Sequence, residues 1–316
     1  MKLVFMGTAA FAVPALKAVK AAGHEVLLVV CQPDRPKGRG HETQAPPLKL
    51  AALELGLQVF QPEKVRDAAA LERLLSLRFD ALCVVAYGQI LPKALLEAPR
   101  LLPLNVHASL LPKYRGAAPI EWALARGEAE TGVCVQKMAE KLDAGDVMMQ
   151  DSMPLGPQDD AASVTPRLSE MGARLLVEAL AALERGEFSL KPQDDMQASF
   201  APLLKKSHGI ADFSLGSAEL VNRFRGFKAR PGFYTALAGE TLKIHALSSV
   251  EGSAAQGAGA PGELLEVSAE GLKVGCRGGA VRIEALQSPG GKAMPAADWA
   301  RGRKAVAGLR FENPAF

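Results

Sequence analysis

The sequence contains no Cys-x-x-Cys pair; its four cysteines, Cys31, Cys83, Cys134 and Cys276, lie far apart. That spacing offers neither a structural zinc site nor a dithiol redox centre. Three of the four sit in apolar runs such as Ala81-Leu-Cys-Val-Val-Ala86, where buried free thiols in a reducing cytosol are expected. No apolar stretch approaches the length that crosses a bilayer, and residues 2–6 already read as a strand, so neither a leader nor a membrane anchor is expected. Gly7-Thr-Ala-Ala-Phe lacks the glycine spacing of a dinucleotide-binding turn, which weighs against a dinucleotide-binding module. No segment combines low hydrophobicity with charge of one sign, so a disordered chain is excluded.

What is present is a core-forming composition, 48% hydrophobic and 22% charged over 316 residues, a length that suggests two domains. The net charge of +3 is unevenly placed: residues 201–316 carry 15 Lys and Arg against 10 Asp and Glu, and residues 1–200 carry 22 against 24. A basic C-terminal third suits either a polyanionic partner or an ordinary solvated face.

Up to about residue 190, strand-like and helix-like segments alternate. Residues 2–6, 25–31, 59–60, 81–86 and 102–106 read as strands, and residues 11–22, 47–55, 67–77 and 161–185 as helices, with Gly23 and Gly56 ending two of them. Val- and Leu-rich runs without strict alternation suit parallel strands covered on both faces. The pattern predicts a doubly wound, mostly parallel α/β domain over residues 1–192 and a linker at 193–211. A smaller OB-like β-barrel over 212–316 follows, since strands expected at 241–247, 271–276 and 280–285 flank the Gly-rich stretch 251–262.

Ligands of such sheets bind beyond the carboxyl ends of the strands, which gives priority to three loops, 32–46, 87–92 and 108–116. Asn105 and His107 stand two apart at a strand end, so both side chains face one side of the sheet. An amide and an imidazolium there could both donate to an oxygen that gains charge in a tetrahedral intermediate. Taken alone, Asn-x-His at a strand end is more often a turn or a hydrogen-bonded core site than a functional pair. Asp143 or Asp146 could orient His107, although for an isolated Asp simple turn chemistry is the better reading of Asp-Ala-Gly-Asp.

Asn105-Val-His-Ala-Ser-Leu-Leu-Pro-Lys-Tyr-Arg-Gly116, with Thr131-Gly-Val and Leu142-Asp-Ala-Gly-Asp146, resembles the active-site signature of the 10-formyltetrahydrofolate-dependent formyltransferases. The resemblance implies that Asn105 and His107 polarise the formyl carbonyl, that Asp143 supports His107, and that Asp146 is a turn residue. Val84-Val-Ala-Tyr-Gly-Gln-Ile-Leu-Pro92 resembles the family's folate-pocket segment. It implies folate contacts from Tyr87, Gly88, Gln89, Ile90, Leu91 and Pro92, together with Ser109, Leu110, Leu111 and Pro112. Gln32-Pro-Asp-Arg-Pro-Lys-Gly-Arg-Gly40 resembles the loop with which the methionyl-tRNA branch of the family engages the acceptor end. It implies tRNA contacts from Arg35, Lys37 and Arg39, on a loop too rich in Gly and Pro for regular structure.

The resemblance therefore implies a cytoplasmic, monomeric, bacterial-type enzyme. It would use 10-formyltetrahydrofolate as co-substrate and no metal, formylate the methionyl group of initiator tRNA, bind that tRNA through the C-terminal barrel, and have no membrane partner. Two departures stand out: Gly7-Thr8-Ala9 where the family has Gly-Thr-Pro, and Phe227-Lys-Ala-Arg-Pro-Gly-Phe-Tyr234 in place of an Asn-Pro-containing, Trp-bearing segment. The alternatives are a formyltransferase for a small amine such as glycinamide ribonucleotide or a sugar nucleotide, the hydrolase half of formyltetrahydrofolate dehydrogenase, and a non-catalytic tRNA-binding protein.

Overall fold

The computed structural model describes residues 1–37, 42–250 and 259–315. The chain forms two compact units. One comprises Met1–Pro119, Glu130–Pro154 and Ser163–Ala201, the other Ile120–Ala129, Leu155–Ala162 and Pro202–Phe316.

The first unit is built on seven strands in the spatial order Val147–Pro154, Glu130–Lys137, Leu102–His107, Ala81–Val85, Lys2–Gly7, Glu25–Val30, Val59–Phe60. The last five in that order run parallel, and the first two add antiparallel strands at one edge. Ala81–Val85 is buried at every position, which is why its run of apolar residues shows no alternation. The edge strand Val147–Pro154 was not anticipated from sequence. Its Met-Met-Gln-Asp-Ser-Met composition is poor in β-branched residues, and pairing with Glu130–Lys137 supplies what propensity does not.

The strand order reverses between Lys2–Gly7 and Ala81–Val85, and the carboxyl ends of both strands are tied together there. Thr8 Oγ1 donates to the Tyr87 carbonyl at 2.8 Å and accepts from the Gln32 N–H at 3.3 Å. Gly7 is required at this junction, because a Cβ would lie 2.6 Å from the Val85 carbonyl oxygen and 2.9 Å from Leu48.

The segment after Glu25–Val30 corrects one expectation. Arg35–Lys37 and Glu42–Gln44 pair antiparallel as the two arms of a short hairpin, so Arg35 and Lys37 lie in regular structure. Arg39 lies outside the described residues. The hairpin's base is pinned by Asp34, which accepts from Gln61 at 2.7 Å and pairs with Lys49 at 2.7 Å. Those two donors, Gln61 first, hold the Asp34 carboxyl below its ordinary range.

In the second unit, antiparallel strands follow the order Leu264–Ser268, Gly271–Cys276, Gly279–Gln287, Glu240–Val250, Tyr234–Leu237, Phe311–Glu312. The two ends of that order meet: Glu263 bridges Arg310 antiparallel, Leu264 N–H donates to the Leu309 carbonyl and Phe311 N–H to that of Gly262, both at 2.7 Å. The sheet thus curls back on itself as a barrel. Its core takes Phe224 and Phe227 from helix Ser217–Phe227 and Trp299 from helix Ala296–Arg303. Leu220, Phe224 and Phe227 follow the helical i, i+4, i+7 spacing, a signal the strand-based expectation passed over.

All four cysteines are free and buried, as expected. Burial raises the Cys83 and Cys134 thiols to about 12 and that of Cys31 to about 11. Among the described residues no helix is long and apolar enough to cross a membrane.

Candidate active site

Strand Leu102–His107 places Asn105 opposite Gln136 and His107 opposite Cys134 on the neighbouring antiparallel strand. Directly opposed residues share a face, so the four side chains form one wall. His107 is 6% exposed. Its Nε2 donates to the Tyr114 carbonyl at 2.9 Å, which fixes the ring and leaves Nδ1 facing Asp143 Oδ2 at 3.7 Å. The half-buried Asn105 amide makes no hydrogen bond among the described residues, so both its donors remain available.

Asp143 reaches this wall from a turn in which it takes the left-handed conformation, φ 48°. Its carboxylate is oriented by two donors, the Gly116 N–H at 2.9 Å to Oδ2 and Gln136 Nε2 at 3.2 Å to Oδ1. Gly116 itself has φ 125°, and a Cβ there would lie 2.6 Å from the Ala201 carbonyl oxygen, so only glycine can present its N–H in this way. Asp146 contributes its carbonyl, which accepts from the Lys137 N–H at 2.9 Å.

The turn is clamped from outside by residues that sequence reasoning did not assign. Gln193 Nε2 donates to the carbonyls of Asp143 at 2.9 Å and Gly145 at 2.6 Å, while its Oε1 accepts from Arg115 Nε at 3.0 Å and Nη2 at 2.8 Å. Arg115, 1% exposed, also pairs with Asp195 at 2.7 Å, and Asp195 pairs with Lys141 at 2.5 Å. Lys141 first, then Arg115, hold the Asp195 carboxyl below its ordinary range. Gln136 was detectable as the one polar residue in an apolar strand stretch, Val133-Cys-Val-Gln136. Gln193 gives no such signal, because it lies in a polar connector without periodicity.

The residues expected at the folate divide in two. Tyr87 and Leu91 are buried, and among the described residues the Tyr87 hydroxyl has no hydrogen-bond partner, its pKa raised to about 12 by burial. Gly88 has φ 87°, and Gln89 is spent on anchoring, accepting from the Val65 N–H at 2.8 Å and donating to the Glu63 carbonyl at 3.1 Å. Ile90, by contrast, is 84% exposed, and Leu142 beside Asp143 is 64% exposed. An ion pair of 3.8 Å between Lys93 and Glu140 ties these two segments together. Leu111 is buried, Leu110 and Pro112 are half-buried, and Ser109 is buried with Oγ donating to the Lys113 carbonyl at 2.6 Å. Arg35 is exposed and pairs with Glu63 at 2.6 Å, and Lys37 lies on the strand Arg35–Lys37.

Residues 1–180 match the family described as formyl transferase, and residues 203–304 match the formyl transferase C-terminal domain. A methionyl-tRNA formyltransferase from Acidobacterium capsulatum is 48% identical over 304 residues, 96% of each chain. One from Heliobacterium modesticaldum is 46% identical over 320 residues, covering 98% of this chain and all of the relative. Among solved structures, an N-formyltransferase from Helicobacter canadensis in complex with folinic acid and dTDP-3-aminofucose superposes with a TM-score of 0.68 at 18% identity, over 91% of this chain and 99% of the other. HypX from Aquifex aeolicus in complex with tetrahydrofolic acid gives 0.61 at 20% identity over 95% of this chain, which spans about half of HypX, 47%. Both likenesses concern the fold.

Proposed function

The chain belongs to the formyl transferase family, and from that premise we infer that it formylates the α-amino group of methionine esterified to initiator tRNA, for translation initiation. Relatives named methionyl-tRNA formyltransferase match it at 43–48% identity over nearly its whole length, which supports this acceptor over a small amine. The co-substrate is a folate. In finer detail we propose 10-formyltetrahydrofolate, with no metal, and an enzyme acting as a cytoplasmic monomer. Residues 1–192 serve as catalytic domain, 193–211 as linker and 212–316 as tRNA-binding barrel.

The observation that carries the chemistry is the unused Asn105 amide beside a His107 whose remaining ring nitrogen faces Asp143. An α-amino group has a pKa of about 7.7–8.0, so a useful fraction is unprotonated at neutral pH and strong base catalysis is unnecessary. As the amine attacks the formyl carbon, Asn105 Nδ2 and protonated His107 donate to the oxygen that becomes an oxyanion. Collapse needs a proton moved from the attacking nitrogen to the departing folate nitrogen; His107 and Asp143, 3.7 Å apart, form the relay. Gly116 and Gln136 keep Asp143 an acceptor facing the imidazole.

The folate is proposed to lie between residues 87–92 and 139–143, with 109–112 along one side. Tyr87 and Leu91 form the floor, and Ile90 and Leu142 supply exposed apolar surface for a flat ring. Ile90→Asp is expected to weaken tetrahydrofolate binding at least about tenfold without lowering Tm, since a charge replaces apolar contact at a solvent-facing position; unchanged affinity would remove this placement. Arg35, Lys37 and Arg39 are proposed to contact the acceptor end. Arg39→Ala should raise KM for methionyl-tRNA and leave folate affinity unchanged, whereas equal losses would argue against that role. The donor itself is tested by mixing the protein with methionyl initiator tRNA and 10-formyltetrahydrofolate. One tetrahydrofolate should appear per formylmethionyl-tRNA, and no product with this donor would overturn the proposal.

A further inference from the structure

The second unit holds a cavity of about 420 Å³ lined by Trp122, Ala125, Arg126, Glu219, Asn222 and Arg223. None of these residues takes part in the chemistry above. Trp122 is fixed by its Nε1–H donating to the Pro202 carbonyl at 2.9 Å and by edge contacts with His208 and Phe227, ring centroids 5.0 and 5.2 Å away. Arg126 lies over the Trp122 ring at 5.6 Å. Arg223 is held by its Nη2–H donating to the His208 carbonyl at 3.2 Å and by the Phe227 ring, 5.8 Å from its guanidinium carbon. Its Nε is buried with no hydrogen-bond partner among the described residues.

A buried guanidinium N–H without an acceptor costs free energy unless something supplies one. Asn222 also lines the cavity. Its Oδ1 accepts from Arg225 Nη1 at 3.1 Å, which directs the Nδ2 donors away, toward the space left open by Gly127, where a Cβ would collide with Nδ2. Burial, then the charges of Lys205 and Arg223, lower the pKa of His208. Glu219, 3.7 Å from Arg277, is the one carboxylate among the described residues that line the cavity.

We propose that this cavity binds one nucleotide unit of the tRNA substrate, its phosphate on Arg223, Asn222 and Arg126 and its base against Trp122. Guanidinium and amide donors match phosphate oxygens, and an indole presents a face on which any base can stack. Glu219 accepts from the exocyclic amine of adenine, cytosine or guanine, which uracil lacks. The assignment rests on tRNA being the acceptor.

Binding of unacylated initiator tRNA, read by quenching of tryptophan fluorescence and without any formyl donor, tests it. Of the two tryptophans, Trp299 is buried in the barrel with Nε1 on Ser288 Oγ at 3.0 Å, so the Trp299→Phe protein should retain the quench. Arg223→Gln is expected to weaken tRNA binding about tenfold or more, the weight of a charge-assisted hydrogen bond to phosphate. Asn222→Asp keeps the acceptor for Arg225 but turns a carboxylate on the phosphate, and should weaken binding similarly at unchanged Tm. Arg301→Gln, which removes the same charge from an 80% exposed site, should change it less than threefold. Equal losses in Arg301→Gln and Arg223→Gln, or full affinity in Asn222→Asp, would overturn the site. So would saturable quenching by 5′-AMP or 5′-GMP that tRNA does not displace, since the cavity would then take a free nucleotide. Formylation of methionyl-tRNA measured in parallel separates the two failures. A protein that formylates it but ignores Arg223 loses only this site, and one that neither binds nor formylates tRNA loses the acceptor.

Discussion

His107→Ala is expected to lower kcat for formyl transfer by about 10²- to 10³-fold, and Asn105→Ala by a similar factor, with tetrahydrofolate affinity nearly unchanged. The His107 ring is held by one bond, Nε2 to the Tyr114 carbonyl, so its other nitrogen has a fixed bearing on Asp143 and on the space before Asn105. Both groups act on charge that exists only as the carbonyl becomes tetrahedral, so the losses belong in kcat. The double variant should lose less than the product of the two single losses, because the donors serve one oxygen. His107→Asn, which retains a polar side chain, guards against a loss caused only by emptying a buried site. A rise in KM at unchanged kcat would move both residues from chemistry to binding.

Gln193→Glu is expected to lower kcat about 10- to 100-fold, the scale of a catalytic group displaced by about 1 Å. Glutamate keeps the oxygen that accepts from Arg115 but loses the N–H donors to the Asp143 and Gly145 carbonyls, and sets a carboxylate against two carbonyl oxygens. Asp143 sits at φ 48°, a conformation that persists only where neighbours impose it. KM for both substrates should stay within about threefold and Tm near the parent value. Unchanged kcat, or a loss that follows Tm alone, would reduce Gln193 to ordinary packing.

Asn105 and His107 could be read from sequence because strand geometry is local: a two-residue spacing at a strand end puts both on one face whatever the rest of the chain does. Asp143 could be named only through family resemblance, since a turn Asp has many uses and the partner that gives this one meaning, Gly116 N–H, is 27 residues away. Gln193 is farther still, 50 residues from Asp143, in a connector whose polar composition carries no period. The parallel strands and the barrel followed from hydrophobic pattern and Gly-rich turns. The hairpin Arg35–Lys37 with Glu42–Gln44 and the edge strand Val147–Pro154 did not, because pairing overrides weak local propensity at both. Asn222 and Arg223 lie on a helix and Trp122 a hundred residues earlier, so their shared cavity is a product of the fold alone.

The choice of acceptor is tested most directly by measuring kcat/KM with one donor, 10-formyltetrahydrofolate, and three acceptors: methionyl initiator tRNA, glycinamide ribonucleotide and a methionine ester. Methionyl-tRNA should exceed both small amines by several orders of magnitude, because only it can use binding energy remote from the reacting carbonyl. Comparable values for a small amine would contradict the account, leaving the Asn105, His107 and Asp143 chemistry attached to a different substrate.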